Sequence, residues 1–140
     1  MFGAYVALFA WNPGKGRVPA WGVTFSPPHA QWLGLDWRAT YTALLDDLQV
    51  RRLRLSAYWN WVEWPEGQWH FEDLDWQMAQ AAERGARVTL AVGRRLPRWP
   101  ECHVPPWAGV LPETRQREAV LAYIRTVVER YRGNPALVEW

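Results

Sequence analysis

The stretch RLRLSAYWNWVEWPEGQWHFEDLDWQMAQAAERGARVTLAV, residues 52–92, reads as a strand, an aromatic loop, a helix and a second strand. Arg52-Leu-Arg-Leu-Ser-Ala-Tyr58 alternates polar and apolar side chains, the period of a strand. Leu74, Met78, Ala81 and Ala82 then share one face of a helix running from about Glu72 to Arg84. Gly85 stands where a left-handed C-terminal cap is wanted. Arg87-Val-Thr-Leu-Ala-Val92 is the next strand. Two strands joined by one amphipathic helix belong to a parallel sheet with a right-handed crossover.

The same unit repeats on both sides. Trp21-Gly-Val-Thr-Phe-Ser26 reads as a short buried strand ended by Pro27-Pro28. Asp36 is an N-cap for a helix to about Gln49, with Trp37, Tyr41, Leu44, Leu45 and Leu48 in one stripe. Beyond Val92 a long loop from Gly93 to about Pro112 carries five prolines. A third helix, about Glu113 to Arg132, places Val120, Ile124, Val127 and Tyr131 on one face and stops at Gly133-Asn134-Pro135. Ala136 to Trp140 begins a fourth strand.

The order is therefore β-α-β-α-β-α-β, which suits either a closed eight-stranded barrel or an open doubly wound sheet. The first strand-to-helix turn argues against a dinucleotide-binding sheet. Ser26-Pro-Pro-His-Ala-Gln stands where Gly-x-Gly-x-x-Gly is needed, and proline lacks the N–H a phosphate would use. The expectation is an α/β fold of the parallel (β/α) TIM-barrel type, with about four strands and three helices of an incomplete barrel.

Composition narrows function. With 140 residues the chain holds one domain at most. Net charge is +2, spread along the chain without a basic run, so nucleic acid is not an expected partner. Cys102 is the sole cysteine and is expected to be inert. His29, His103 and a carboxylate have no metal-site spacing, and no cofactor is expected. The outlier is tryptophan, 12 residues, suited both to a core and to flat platforms for sugar rings. Residues 1–20 read as an apolar segment, Met1 to Ala10, and a turn-rich linker. That segment is too short to span a bilayer and lacks signal-peptide features. It leaves a weak lean toward an extracytoplasmic or membrane-anchored location, as the remnant of an anchor.

In a parallel barrel the ligand lies over the C-terminal ends of the strands. The loops starting there hold Phe25, Ser26 and His29, then Tyr58, Trp59, Asn60, Trp61, Glu63 and Trp64, then Arg94, Arg95, Arg98, Trp99, Glu101, His103 and Trp107. The loops at the other end are short and plain. Rings interleaved with carboxylate, amide and guanidinium groups suit a carbohydrate, whose C–H face stacks and whose hydroxyls need donors and acceptors. Glu63 is expected to pair with an arginine or to order the aromatic loop, and Glu101 to sit in a solvated salt bridge.

Arg52 to Glu63, followed by Pro65-Glu66-Gly67-Gln68-Trp69-His70-Phe71 and Leu74-Asp75, resembles a segment of retaining barrel glycosidases of the cellulase-like and β-galactosidase-like families. There the second strand leads into W-x-x-x-E-P-x-x-G-x-Y-D-F-x-x-L-D. Gly93 with Pro97-Arg98-Trp99 resembles the next loop of some cellulase-like proteins. Asn134-Pro135 with Val138-Glu139-Trp140 resembles the lead-in to the fourth strand. The likeness runs over about Trp21 to Trp140. Trp64 between Glu63 and Pro65, His70 before Phe71, and Gly93 at the third strand's end depart from the pattern.

The resemblance implies hydrolysis of O-glycosidic bonds in oligo- or polysaccharides by two carboxyl groups about 5 Å apart. In those families they follow strands four and seven. No catalytic residue is thus expected up to Trp140, and the chain by itself is expected to be inactive. Arg54 matches the second-strand arginine that orients the nucleophile there. Alternation alone leaves open whether it points into the barrel or outward. The expected substrate contacts are Arg54, Tyr58, Trp59, Trp61, Glu63, Arg94, Trp99 and His103. The alternative is a non-catalytic, aromatic-rich carbohydrate-binding or self-associating half-barrel. Self-association or pairing with the missing C-terminal half is expected, because open sheet edges invite strands.

Overall fold

The computed structural model describes residues 16, 19–97 and 102–140. The apolar segment Met1 to Ala10 and the expected contact Trp99 lie outside the described residues. Four strands form one sheet: β1 (Val23–Thr24), β2 (Arg52–Ala57), β3 (Arg87–Val92) and β4 (Leu137–Glu139). All three pairings are parallel, and the spatial order is β1-β2-β3-β4. Each strand therefore lies beside its sequence neighbour. A doubly wound sheet reverses direction at a switch point, whereas this unbroken order is that of part of a (β/α) TIM barrel.

Three longer helices cover one face: α2 (Trp37–Asp46), α4 (Glu72–Glu83) and α6 (Glu113–Tyr131). The expected caps operate. Asp36 accepts hydrogen bonds from the Arg38 and Ala39 backbone N–H groups at 2.9 and 3.1 Å. Gly85 has φ +63°, and the Ala86 N–H reaches back to the Ala81 carbonyl at 2.8 Å. Three short helices occupy stretches whose sequence reads as strand end or loop: α1 (Pro27–Trp32), α3 (Trp59–Val62) and α5 (Pro106–Gly109). Two of them begin with proline at the first helical turn, where its missing N–H costs nothing and its fixed φ suits the helix.

The core lies between sheet and helices. Leu53, Leu55, Ala57, Val88 and Leu90 meet Tyr41, Leu45, Met78, Tyr123 and Val127, and all are buried. Burying each large aliphatic side chain contributes about 1.5–3 kcal/mol. Three tyrosines carry hydroxyls into this layer and each finds an acceptor. Tyr41 donates to the Gln77 carbonyl at 3.0 Å, Tyr123 to the Ala57 carbonyl, and Tyr131 to Asp75 Oδ1 at 2.7 Å. Burial raises the pKa of all three phenols, so they remain protonated donors.

Neighbouring helices are also tied by ion pairs at their outer edges. Arg38 binds Asp73 at 2.6 Å and Arg84 binds Asp46 at 2.6 Å, both between α2 and α4. Arg130 of α6 binds Asp75 of α4, with Nε–Oδ1 at 2.9 Å. No described helix is long and apolar enough to cross a membrane.

Candidate functional site

The far ends of β2 and β3 carry two loops that are tied together. The Asn60 N–H donates to the His103 carbonyl, and the His103 N–H to the Arg94 carbonyl, both at 3.3 Å. Trp107 Nε1 donates to the Glu63 carbonyl at 3.4 Å. Arg95 and Cys102 form an antiparallel bridge across the base of the second loop. These bonds bring Tyr58, Trp61, Arg94 and His103 to one place at the C-terminal end of the sheet.

The centre of the cluster is Tyr58. Its ring meets His103 edge to face at 4.3 Å between centroids and lies 5.8 Å from Trp61. Its hydroxyl donates to Ser26 Oγ at 2.8 Å, linking the end of β2 to the end of β1. Trp61 and His103 are half-buried and Arg94 is exposed. An aromatic face and an imidazole therefore stand beside Tyr58, with the exposed Arg94 joined to His103 through its backbone carbonyl. That mixture matches a polyhydroxylated ring, which offers a C–H face together with hydroxyls.

Trp59 and Glu63 are placed differently. Trp59 is 0 % exposed, stacked on Tyr123 at 5.4 Å and edge-on to Trp107. It belongs to the core and is closed off from a ligand. Glu63 is 5 % exposed and has both oxygens engaged. Oε2 accepts from Trp59 Nε1 at 2.8 Å, and Oε1 accepts from the Gly67 N–H at 3.0 Å. It orders the aromatic loop, as its position among the rings suggests. Gly67, with φ +76°, is the turn residue, and the Gln68 N–H closes onto the Pro65 carbonyl at 3.0 Å. A left-handed glycine at the third position of such a turn is what lets its N–H face the carboxylate. The bond between Trp64 and Pro65 is cis.

Arg54 lies on the opposite face of the sheet from the helices, where its Nε donates to Thr24 Oγ1 at 3.0 Å. It is exposed and lines a concavity of about 540 Å³. This settles its direction: it points to the barrel interior, not between strand and helix. It lies four residues before Tyr58, about 13 Å along the chain direction of the strand, so the two belong to different depths.

Gln77 on α4 is a residue that the apolar helical stripe by itself does not single out. It is 3 % exposed, and its Oε1 is buried without a hydrogen-bond partner among the described residues. It lines a crevice of about 70 Å³ together with Ser56, Tyr58, Trp61 and His70. An unpaired buried acceptor beside a crevice of this size suits a water or a hydroxyl. The available signal was a polar residue inside the apolar stripe, three residues after Leu74 and four before Ala81. Among the described residues no group of three or more His, Cys, Asp or Glu side chains is arranged to hold a metal ion.

No protein-family model matches the chain, and no curated protein does. Solved structures do match. One is a catalytic mutant of Gan42B, a GH42 β-galactosidase from G. stearothermophilus. It has a TM-score of 0.63 and 24% identity over 83% of this chain and 19% of that one. Another is the exo-β-1,4-mannosidase Op5Man5 from Opitutaceae bacterium strain TAV5. It has a TM-score of 0.53 and 21% identity over 79% of this chain and 21% of that one. The chain spans about a fifth of the length of either enzyme. At such identities the likeness is one of fold, and the shared fold is the TIM barrel of these glycoside hydrolases.

Proposed function

We propose that this chain forms one section of a barrel glycoside hydrolase acting on O-glycosidic bonds of oligo- or polysaccharides, and contributes part of its sugar cleft. The observation that carries this reading is the cluster of Tyr58, Trp61, Arg94 and His103 over the C-terminal end of a sequentially ordered parallel sheet. In that architecture ligands lie over this end. The β-galactosidase and β-mannosidase likenesses support a barrel used on sugars.

Within the cleft the roles differ by position. The exposed face of Trp61 takes the C–H face of a sugar ring. His103 and Arg94 direct hydrogen bonds to its hydroxyls. Glu63 acts one step back, by holding the loop that carries Trp61. It is not one of the two carboxyls a retaining glycosidase needs, because both of its oxygens are already engaged inside the protein. The described section accordingly binds sugar without cleaving it, and Arg54 waits deeper in the barrel for a carboxylate from another strand.

Titration of the chain with lactose, cellobiose and mannobiose, followed by tryptophan fluorescence, tests this reading. Saturable change is expected with at least one disaccharide. Trp61→Ala should weaken it about tenfold, the worth of one stacked ring. Absence of saturable change with all three, or an unaltered Trp61→Ala variant, would refute the assignment.

A further inference from the structure

The crevice of about 70 Å³ lies where α1, the end of β2, α3 and the start of α4 meet. Pro27, Ala57, Val62 and Leu74 give it apolar walls, and all four are buried. Tyr58 and Trp61 line it as well, so it shares a wall with the aromatic cluster. A pocket that encloses a whole ligand measures about 300–1,000 Å³. A crevice of this size has room only for a substituent of a ligand seated outside it.

Most of its polar groups are committed. His70 Nε2 bonds the Trp64 carbonyl at 2.8 Å, and the Asp73 carboxylate holds Arg38 at 2.6 Å. The Tyr58 hydroxyl donates to Ser26, and Glu72 is exposed to water. Gln77 differs, since its side chain is buried and its Oε1 has no hydrogen-bond partner. A buried acceptor left unpaired is costly, and native proteins leave few of them. A water would satisfy the amide but would set its other hydrogen-bonding positions against apolar walls. A hydroxymethyl group meets both demands: its methylene packs on the walls and its hydroxyl reaches the amide. A hydroxyl donates and accepts, so it serves either end of the Gln77 amide.

We propose, on the reading of Trp61 as a sugar platform, that this crevice takes the exocyclic hydroxymethyl group of the sugar, with Gln77 as its recognition group. The section therefore selects hexoses over pentoses. A pentopyranose has the same ring for Trp61 but lacks the group that fills the crevice and pairs the amide.

The test compares cellobiose with xylobiose, which share ring and linkage and differ by the hydroxymethyl groups. Both are titrated by tryptophan fluorescence into the chain and its Gln77→Leu variant, checked for folding by circular dichroism. Cellobiose is expected to bind about tenfold more tightly than xylobiose, the discrimination of one small group with its hydrogen bond. Gln77→Leu should abolish most of that difference and leave xylobiose binding as it was. Equal affinities in the unmodified chain would overturn the proposal and leave the sugar-cleft reading standing. A difference that survives in Gln77→Leu, or an equal loss of both sugars there, would overturn it too, the second outcome confining Gln77 to folding. Binding of neither sugar also overturns it, and titration with lactose and mannobiose then shows whether the wider reading falls with it.

Discussion

The helix-covered face of the sheet and its bare face are built from alternate residues of the same strands. Leu53 and Leu55 are sealed under Tyr41, Met78 and Tyr123, while Arg52 and Arg54 between them stand in solvent. In β3, Val88 and Leu90 are buried and Arg87 is exposed. One face obtains its stability within the described residues. The other carries polar and charged side chains around an open concavity and adds little to that core.

The largest expected effect comes from the covered face. Leu90→Ala should lower unfolding free energy by about 2–5 kcal/mol in urea denaturation, the range for a fully buried leucine. A loss below about 1 kcal/mol would mean that the core is not closed by these helices.

Next comes the loop above the sheet. Glu63→Gln puts an amide N–H₂ against one of two buried donors, the Trp59 indole or the Gly67 N–H. Losing one charged hydrogen bond in a buried setting should cost about 1.5–3 kcal/mol. The same variant should weaken sugar binding through displaced Trp61, with the sheet core unaffected. Retained binding with lost stability would confine Glu63 to folding.

A smaller effect is set by pH. Burial pushes the Asp75 carboxyl upward, but hydrogen bonds from Arg130 and Tyr131 and the charge of Arg130 outweigh it, and the pKa ends below the usual carboxylate value. A depressed carboxylate contributes stability above its unfolded pKa and loses it as pH falls through the folded one. Stability should therefore decline below about pH 4, and Asp75→Asn should flatten that decline. An unchanged acid limb in the variant would remove Asp75 from the account.

The smallest effect belongs to the bare face. Arg87→Ala should shift stability by no more than about 0.5 kcal/mol, as for an exposed surface residue. A loss comparable to that of Leu90→Ala would erase the distinction between the two faces.

Much of this architecture was legible before the structure. Strand alternation in 52–58, the helical stripe Leu74, Met78 and Ala81, the Asp36 N-cap and the Gly85 C-cap are local signals, and all operate where expected. Pro27-Pro28 reads as the end of a strand. It also starts α1, because proline favours the first turn of a helix as much as it interrupts a strand. The tryptophans divide as composition alone could not tell. Trp37 and Trp59 enter the core, Trp69, Trp76 and Trp107 pack against it, and Trp61 remains partly open at the cluster.

The sequence by itself determined the element order, the caps and the aromatic character of the loops, because each depends on residues a few positions apart. Only the tertiary structure decided that Trp59 is core while Trp61, two residues on, stays half-buried beside Tyr58 at the C-terminal end of the sheet. Only it decided that Glu63 is spent on Trp59 and Gly67, and that Arg54 points into the barrel on the face it shares with Arg52 and Arg87. Those outcomes depend on which helix covers which face of the sheet, and contacts such as Trp59 with Tyr123 join residues too distant in sequence for any local period to record.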